Sequence, residues 1–199
     1  MSPSSSAPQL SLFDKAARPA EELPPGLSFQ PDVLTPAEEA NALAHLAQLP
    51  LQPFQFHGWQ GNRRTLSFGW GYDYGSERKV KAPDIPDFLL PLRARAAAFA
   101  DLDPRGLEMA HVIHYPVGAG IGWHRDKAAF GQVVGLSLLS PCTIRLRKKT
   151  GEGKWQRYSF PTEPRAGYLF SGRARSEWEH SVAPLEVERY SVTFRTLAR

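Results

Sequence analysis

His124 and Asp126 place an imidazole and a carboxylate on either side of Arg125. In an extended chain alternate side chains point to the same face, so both can reach one metal ion. His180, in the run Trp178-Glu179-His180-Ser181-Val182, could supply a third ligand from another strand. Two histidines and one carboxylate on one face of an octahedron leave three positions open, an arrangement suited to an iron(II) that must also hold a keto acid and O2. A His-x-Asp pair by itself is equally the mark of a solvated or packed strand, so further residues have to carry the reading. Near the carboxyl end, Arg189-Tyr190-Ser191-Val192-Thr193-Phe194-Arg195 alternates polar with apolar residues, putting Arg189, Ser191, Thr193 and Arg195 on one face. A guanidinium suits a bidentate grip on a carboxylate, although the same run read alone is also a charged edge strand. His45, His57, His111 and His114 are read as solvated or packed rather than as ligands. Cys142 is the only cysteine, which excludes an internal disulfide and any multi-cysteine zinc site, so a metal would be held by His and carboxylate.

The elements that must position these residues change character along the chain. Residues 1–25 are rich in Ser, Pro and Ala and read as a flexible arm, with one apolar island at Gln9 to Phe13. Leu27 to Phe29 suits a short strand. Thr35-Pro36-Ala37-Glu38-Glu39 then has the cap, early proline and acidic first turn of a helix start, with Leu43, Leu46, Ala47 and Leu49 as its expected buried stripe. A second helix is predicted from Pro86 to Ala100, where Phe88, Leu89, Leu92, Ala96 and Phe99 recur at near-helical spacing. Between them, residues 52–80 interleave aromatic residues with Gln, Gly and Arg, which suits hairpins or a lid better than a plain core. From Met109 the chain turns to short β-type runs: 109–115, 121–125, 132–139, 142–148, 156–160, 167–171, 178–183 and 189–196. Strands of this kind after two helices predict an α+β fold, an antiparallel sandwich or jelly roll with helices packed on one face.

A chain of 199 residues suits one domain over 26–199, able to bury a core without staples. An apolar fraction of 42% with 22% charged residues is that of a globular protein. No apolar run approaches the roughly 18 residues needed to span a bilayer, and no export signal is evident, so a cytoplasmic monomer is expected. A formal charge of +4 permits an anionic partner without requiring one.

Together these residues resemble the AlkB family. The family's order and spacing stand in His124-x-Asp126, in Ser171-Gly172-x-Ala174-Arg175-x-x-Trp178-x-His180, and in Arg189-x5-Arg195. Upstream, Tyr115-Pro116-x-Gly118-x-x-Ile121-Gly122-Trp123-His124 is similar to the family's approach to its first ligand. The resemblance is strong over 109–196 and weaker over 54–75. It implies a double-stranded β-helix binding Fe(II) through His124, Asp126 and His180, with 2-oxoglutarate and O2 as co-substrates. It further implies that Arg189 pairs with the distal carboxylate of 2-oxoglutarate and that Tyr115, Ser191 and Arg195 complete its contacts. Arg195 lies ~20 Å along a straight strand from Arg189, so its contact near the metal needs a folded side chain or a bent strand. The implied reaction hydroxylates a substrate C–H and forms succinate and CO2; on an N-methyl group the product releases formaldehyde.

By the same resemblance the substrate is an alkylated base, single-stranded or flipped out of a duplex, as in DNA repair. The pattern Arg64-x4-Gly69-x-x-Tyr72 is similar to the family's substrate lids, and Trp59, Arg64, Tyr72, Tyr74 and Arg125 are its expected contacts. Arg63 and the basic run Arg145-x-Arg147-Lys148-Lys149 are expected near the nucleic-acid backbone. Two positions depart from the family. Ala128 stands where many base-repair members carry an acid near the base, which counts against methyladenine or methylcytosine repair in particular and leaves tRNA, protein or another alkylated base open, with a small molecule as the further alternative. Ile113 stands where an Asn often helps hold 2-oxoglutarate. In the arm, Gln9, Leu10, Leu12 and Phe13 resemble the peptide by which bacterial repair proteins dock on the sliding clamp; packing on this protein's own domain is the other reading.

Overall fold

The computed structural model describes residues 23–56 and 59–198, leaving aside the side chains at 56, 59 and 60. The arm, except 23–25, and the docking peptide at Gln9, Leu10, Leu12 and Phe13 lie outside the described residues.

In chain order the elements are β1 (Leu27–Gln30), α1 (Pro36–Leu46), β2 (Gln52–Phe56), β3 (Trp59–Phe68), β4 (Trp70–Asp73) and β5 (Arg78–Lys81). After α2 (Leu90–Ala100) come β6 (Met109–Tyr115), β7 (Ile121–His124), β8 (Phe130–Leu138), β9 (Cys142–Lys149), β10 (Trp155–Thr162) and β11 (Gly167–Phe170). The short α3 (Gly172–Ser176), β12 (Glu179–Val182) and β13 (Arg189–Leu197) complete the chain. Each strand expected from Met109 onward is present, with bounds shifted by a residue or two.

Two antiparallel sheets face each other. The larger runs β1-β11-β8-β13-β6-β3-β2 and the smaller β10-β9-β12-β7, while β4 and β5 form a separate hairpin. This is a double-stranded β-helix, or jelly roll, with α1 and α2 on the outer face of the larger sheet.

Strand alternation decides what each face carries. Ala110 and Val112 of β6, Val134, Leu136 and Leu138 of β8, and Tyr190, Val192 and Phe194 of β13 pack with Leu46, Leu89, Leu92 and Ala96 of the helical layer. The intervening residues of the same strands therefore point between the sheets, and they include His111, Tyr115, Arg189, Thr193 and Arg195. The apolar face turns to the helices and the polar face turns inward. The remaining space between the sheets is filled by Val133, Ile144, Leu146, Phe160, Tyr168 and Trp178.

Helix α1 starts where its signals place it. Thr35 accepts from the Glu38 amide at 3.2 Å, and Glu38 accepts from the Thr35 amide at 2.8 Å, the reciprocal pair of a capping box. Its buried positions are Glu39, Ala42 and Leu46, with Leu43 and Leu49 half-buried. Ala47 departs from the expected stripe: it is the exposed C-cap, beyond the last full turn. The second helix opens with a 3-10 turn at Asp87–Leu89 before α2 proper.

Candidate metal centre and cavity

Pairing in the smaller sheet brings the candidate ligands together. His124 ends β7 and His180 sits on β12, directly opposite each other in the register, with ring centroids 4.2 Å apart. Asp126 follows two residues after His124, and one ligand atom from each of the three lies within 4.8 Å of the others. The His124 Nδ1 is 2.9 Å from the Gly122 carbonyl, which can only accept, so Nδ1 carries the proton and Nε2 keeps its lone pair for a metal. Burial is the main reason the His180 imidazole is pushed down to about 3, with His124 adding to it, so the ring is neutral near pH 7. Burial would raise the Asp126 carboxyl, but the positive charge of Arg195 heads a group of neighbours that outweighs it and holds the acid ionised. Two neutral imidazoles and one carboxylate form a ligand set for a divalent ion.

Arg195 orients that carboxylate. Its Nη2 donates to Asp126 Oδ1 at 3.0 Å, leaving Oδ2 buried without a hydrogen-bond partner 3.9 Å from His180 Nε2. The arginine meets the metal end of the cavity from its own end of β13, so no folding back toward Arg189 is needed.

The triad opens into a cavity of about 890 Å³ between the sheets. Arg189 lies at its deep end, 1% exposed; its Nη2 donates to Ser137 Oγ at 3.0 Å, and its Nε and Nη1 are buried without partners. Tyr115, cross-strand from Arg189, and Tyr168 of β11 also line the cavity. Burial raises both phenols, Tyr168 to about 12, with Arg189 opposing, so both remain O–H donors. Thr193 adds a buried, unpartnered hydroxyl. The partnerless donors of Arg189 and Thr193 thus face the inner cavity, and together with the His-Asp-His set they fit a divalent metal and a small dicarboxylate. Ser191 shares the strand face, but its hydroxyl donates to the Leu136 carbonyl at 3.2 Å and it does not line the cavity.

At the mouth, Tyr72 and Tyr74 of the β4 region meet edge to face at 5.2 Å, and Lys127 Nζ sits 5.0 and 5.1 Å from their ring centres. Arg125 reaches the rim, where its Nη1 donates to the Ser176 carbonyl at 3.2 Å. Arg64, expected to face the substrate, is exposed and turned away from the cavity. Its neighbour Arg63 lines the cavity instead, because pairing of β3 with β6 fixes the phase of alternation. Trp59 belongs to β3, and its side chain lies outside the described residues. On the outer face of the smaller sheet, Arg147 lies 4.4 Å from the ring centre of Trp123 and 4.3 Å from that of Trp155.

Sequence reasoning missed Tyr168 and His111. His111 lines the cavity, is hydrogen-bonded to Ser67 Oγ at 2.9 Å and is pushed down to about 3, chiefly by burial. For Tyr168 a signal existed: Gly135 stands inside a strand, and a Cβ there would lie 2.0 Å from Tyr168 Cζ. Glycine within a strand marks a close approach, here of the ring that crosses β8 into the cavity.

A jelly roll with two histidines and a carboxylate beside a buried arginine defines a class of oxygenases, and comparison with known proteins agrees. Residues 26–195 match the 2OG-Fe(II) oxygenase superfamily, and the chain belongs to it. Its enzymes use Fe(II), 2-oxoglutarate and O2. Within the superfamily the likeness is AlkB-like. The "Alkylated DNA repair protein ALKBH8 homolog" of Arabidopsis thaliana is 27% identical over 190 residues, covering 83% of this chain and 53% of that protein, so the chain spans about half the relative's length. The solved structure of OsALKBH1 superposes with a TM-score of 0.64 at 17% identity, over 88% of this chain and 100% of the other. A Pseudomonas putida prolyl-4-hydroxylase follows at 0.58 and 19%, over 87% and 93%. Among the described residues no helix is long and apolar enough to cross a membrane.

Proposed function

We propose that this protein oxidatively removes alkyl groups from bases of single-stranded or flipped-out nucleic acid. The observation that carries the reading is the cavity mouth: paired tyrosines under an ammonium group, opening inward onto the His-Asp-His set. A base presents a flat π-face to such rings, and the backbone that follows it is anionic. The arginine–tryptophan layers of Trp123, Arg145 and Arg147 extend the same chemistry beyond the rim.

When bound, iron(II) with 2-oxoglutarate and O2 supplies oxidation of a substrate C–H to C–OH, forming succinate and CO2, after which an N-hydroxymethyl group leaves as formaldehyde. In this reading His124 Nε2, Asp126 Oδ2 and His180 hold the metal, and Arg195 fixes the carboxylate rotamer by occupying Oδ1. Arg189 would hold the distal carboxylate of the co-substrate through its Nε and Nη1 N–H groups, which have no partner in the protein, and the Tyr115 and Tyr168 hydroxyls line the same cavity. The hairpin of β4 and β5 with β2 and β3 acts as a lid, in which Tyr72 and Tyr74 stack on the base. Arg125 and Lys127 meet the phosphates.

The test is anaerobic loading with iron and 2-oxoglutarate, admission of air with a panel of methylated oligonucleotides, and mass spectrometry of succinate and base. Demethylation coupled to succinate supports the reading. Succinate formation that no oligonucleotide stimulates would direct the search to protein or small-molecule substrates.

A further inference from the structure

We propose that Arg63 reads the substrate, selecting neutral bases that present carbonyl oxygens over bases that carry a positive charge. This deepens the reading above and rests on an alkylated base entering the cavity.

Arg63 is 9% exposed, lines the cavity from β3 and lies with Cζ 3.7 Å from the ring centre of Phe54. Among the described residues no carboxylate pairs with it. A guanidinium held in this way is fixed in direction by the ring beneath it and keeps N–H groups for whatever enters. Burial lowers its pKa while Tyr115 and Tyr74 oppose, and an arginine this far above neutrality stays charged. The other buried arginines have duties: Arg195 is on Asp126, and Arg189 stands at the deep end where the co-substrate would sit.

The charge of the whole cavity points the same way. Its lining carries Arg63, Arg125, Lys127, Arg189 and Arg195 against Asp73 and Asp126. Asp73 lies at the rim and is held by the Gly75 amide at 2.8 Å and by Ser76 Oγ at 2.7 Å. A divalent cation and a dicarboxylate cancel each other and leave this excess in place. A base made cationic by alkylation therefore enters against the field and meets no acid left to it, since Asp126 is held by Arg195 and belongs to the ligand set while Asp73 is held at the rim. A neutral base with carbonyl oxygens meets donors instead.

The experiment compares single-stranded oligonucleotides carrying 3-methylthymine, which is neutral with two carbonyls, against 1-methyladenine and 3-methylcytosine, which are cationic. A charge-assisted hydrogen bond predicts a preference of about tenfold or more in kcat/KM for 3-methylthymine. Polarisation of the labelled oligonucleotides on the metal-free protein should follow the same order. Arg63→Gln should bring the ratio to within about threefold of unity by raising KM for 3-methylthymine but not for 2-oxoglutarate. Arg63→Lys, which keeps the charge, should keep the direction of the preference; with the wild-type ratio it decides the matter if the glutamine variant does not fold. Equal or reversed wild-type selectivity overturns the proposal. A KM for 2-oxoglutarate that rises with the glutamine change also overturns it, since Arg63 would then serve the co-substrate. The nucleic-acid reading fails differently: wild type would neither bind nor oxidise any oligonucleotide while still forming succinate, and both inferences would go.

Discussion

Replacing Arg189 with methionine should separate stability from co-substrate binding, moving them in opposite directions. In the ligand-free protein this guanidinium is buried at 1% exposure, with one donor on Ser137 Oγ and Nε and Nη1 without partners. Its remaining compensation is the Tyr115 ring, 5.4 Å away. Exchanging an incompletely paired buried charge for an apolar side chain of similar length is neutral or stabilising by about 1–4 kcal/mol. At ~2–4 °C per kcal/mol for a chain of this size, the melting temperature should hold or rise by several degrees. Binding moves the other way, because losing one partner of a buried charge pair costs about 3–5 kcal/mol, a loss of roughly a hundred- to several-thousandfold in affinity for 2-oxoglutarate. The assay is thermal melting with and without 2-oxoglutarate, joined to calorimetric titration. Wild type should gain about 2.7 kcal/mol at a hundred times Kd, and Arg189→Met should gain almost nothing at that concentration. A variant that melts well below wild type yet still binds 2-oxoglutarate normally would refute the reasoning and make Arg189 a structural residue.

Alanine at His124, Asp126 or His180 should abolish formaldehyde release and lower metal content on dialysis, and near-normal turnover by any of the three would discard the ligand set. Asp126→Ala should also lower the melting temperature, because Arg195 loses its carboxylate. Gly135→Ala places a Cβ against the Tyr168 ring and should cost about 1–3 kcal/mol by chemical denaturation, while an unchanged midpoint would mean that the ring moves freely. Tyr72→Ala should weaken binding of single-stranded oligonucleotide by about 1–3 kcal/mol in a polarisation titration, and a loss under twofold would place the stacking surface elsewhere. Acid should destabilise the fold through His111 and His180. Below about pH 6.5 the unfolded chain protonates these imidazoles, whereas the folded chain resists until about 3, so each removes ~1.4 kcal/mol per pH unit across that window. Denaturation midpoints equal at pH 7 and pH 5 would contradict this.

Strand positions were legible because Gly, Pro and charged turns separate runs of strand-forming residues, and β6 is found at its expected bounds. The inward set of β13 was legible for the same reason, since one strand's alternation needs no knowledge of its neighbours. What could not be read was phase between strands. Arg63 and Arg64 are adjacent in sequence, and only the pairing of Arg64 with His114 decides which of them faces inward. Ser191 illustrates a second limit: the face was right, but its hydroxyl is taken by a carbonyl on the neighbouring strand. For His111 the sequence leaves solvated and packed open; it is half-buried and bonded to Ser67, and it borders the cavity because β6 lies beside β13.

The seat of the candidate ligands at one margin of a sheet bears on how the site is lost. β7 is an edge strand of four residues, paired to β12 at His124 and Ile121 with a register shift between them. Its ends are tied from outside: Gly118 donates to the Leu185 carbonyl at 2.7 Å, and Arg175 donates to the carbonyls of Lys127, Phe130 and Gly131. Between these two anchors the ladder itself contributes little, so this segment should open locally long before the helix-backed sheet does. An ion shared by His124 and His180 would rivet the margin strand to its neighbour. Amide exchange over 121–126 would then report occupancy of the site, and depletion of metal would silence the protein through fraying while the rest of the barrel stays folded.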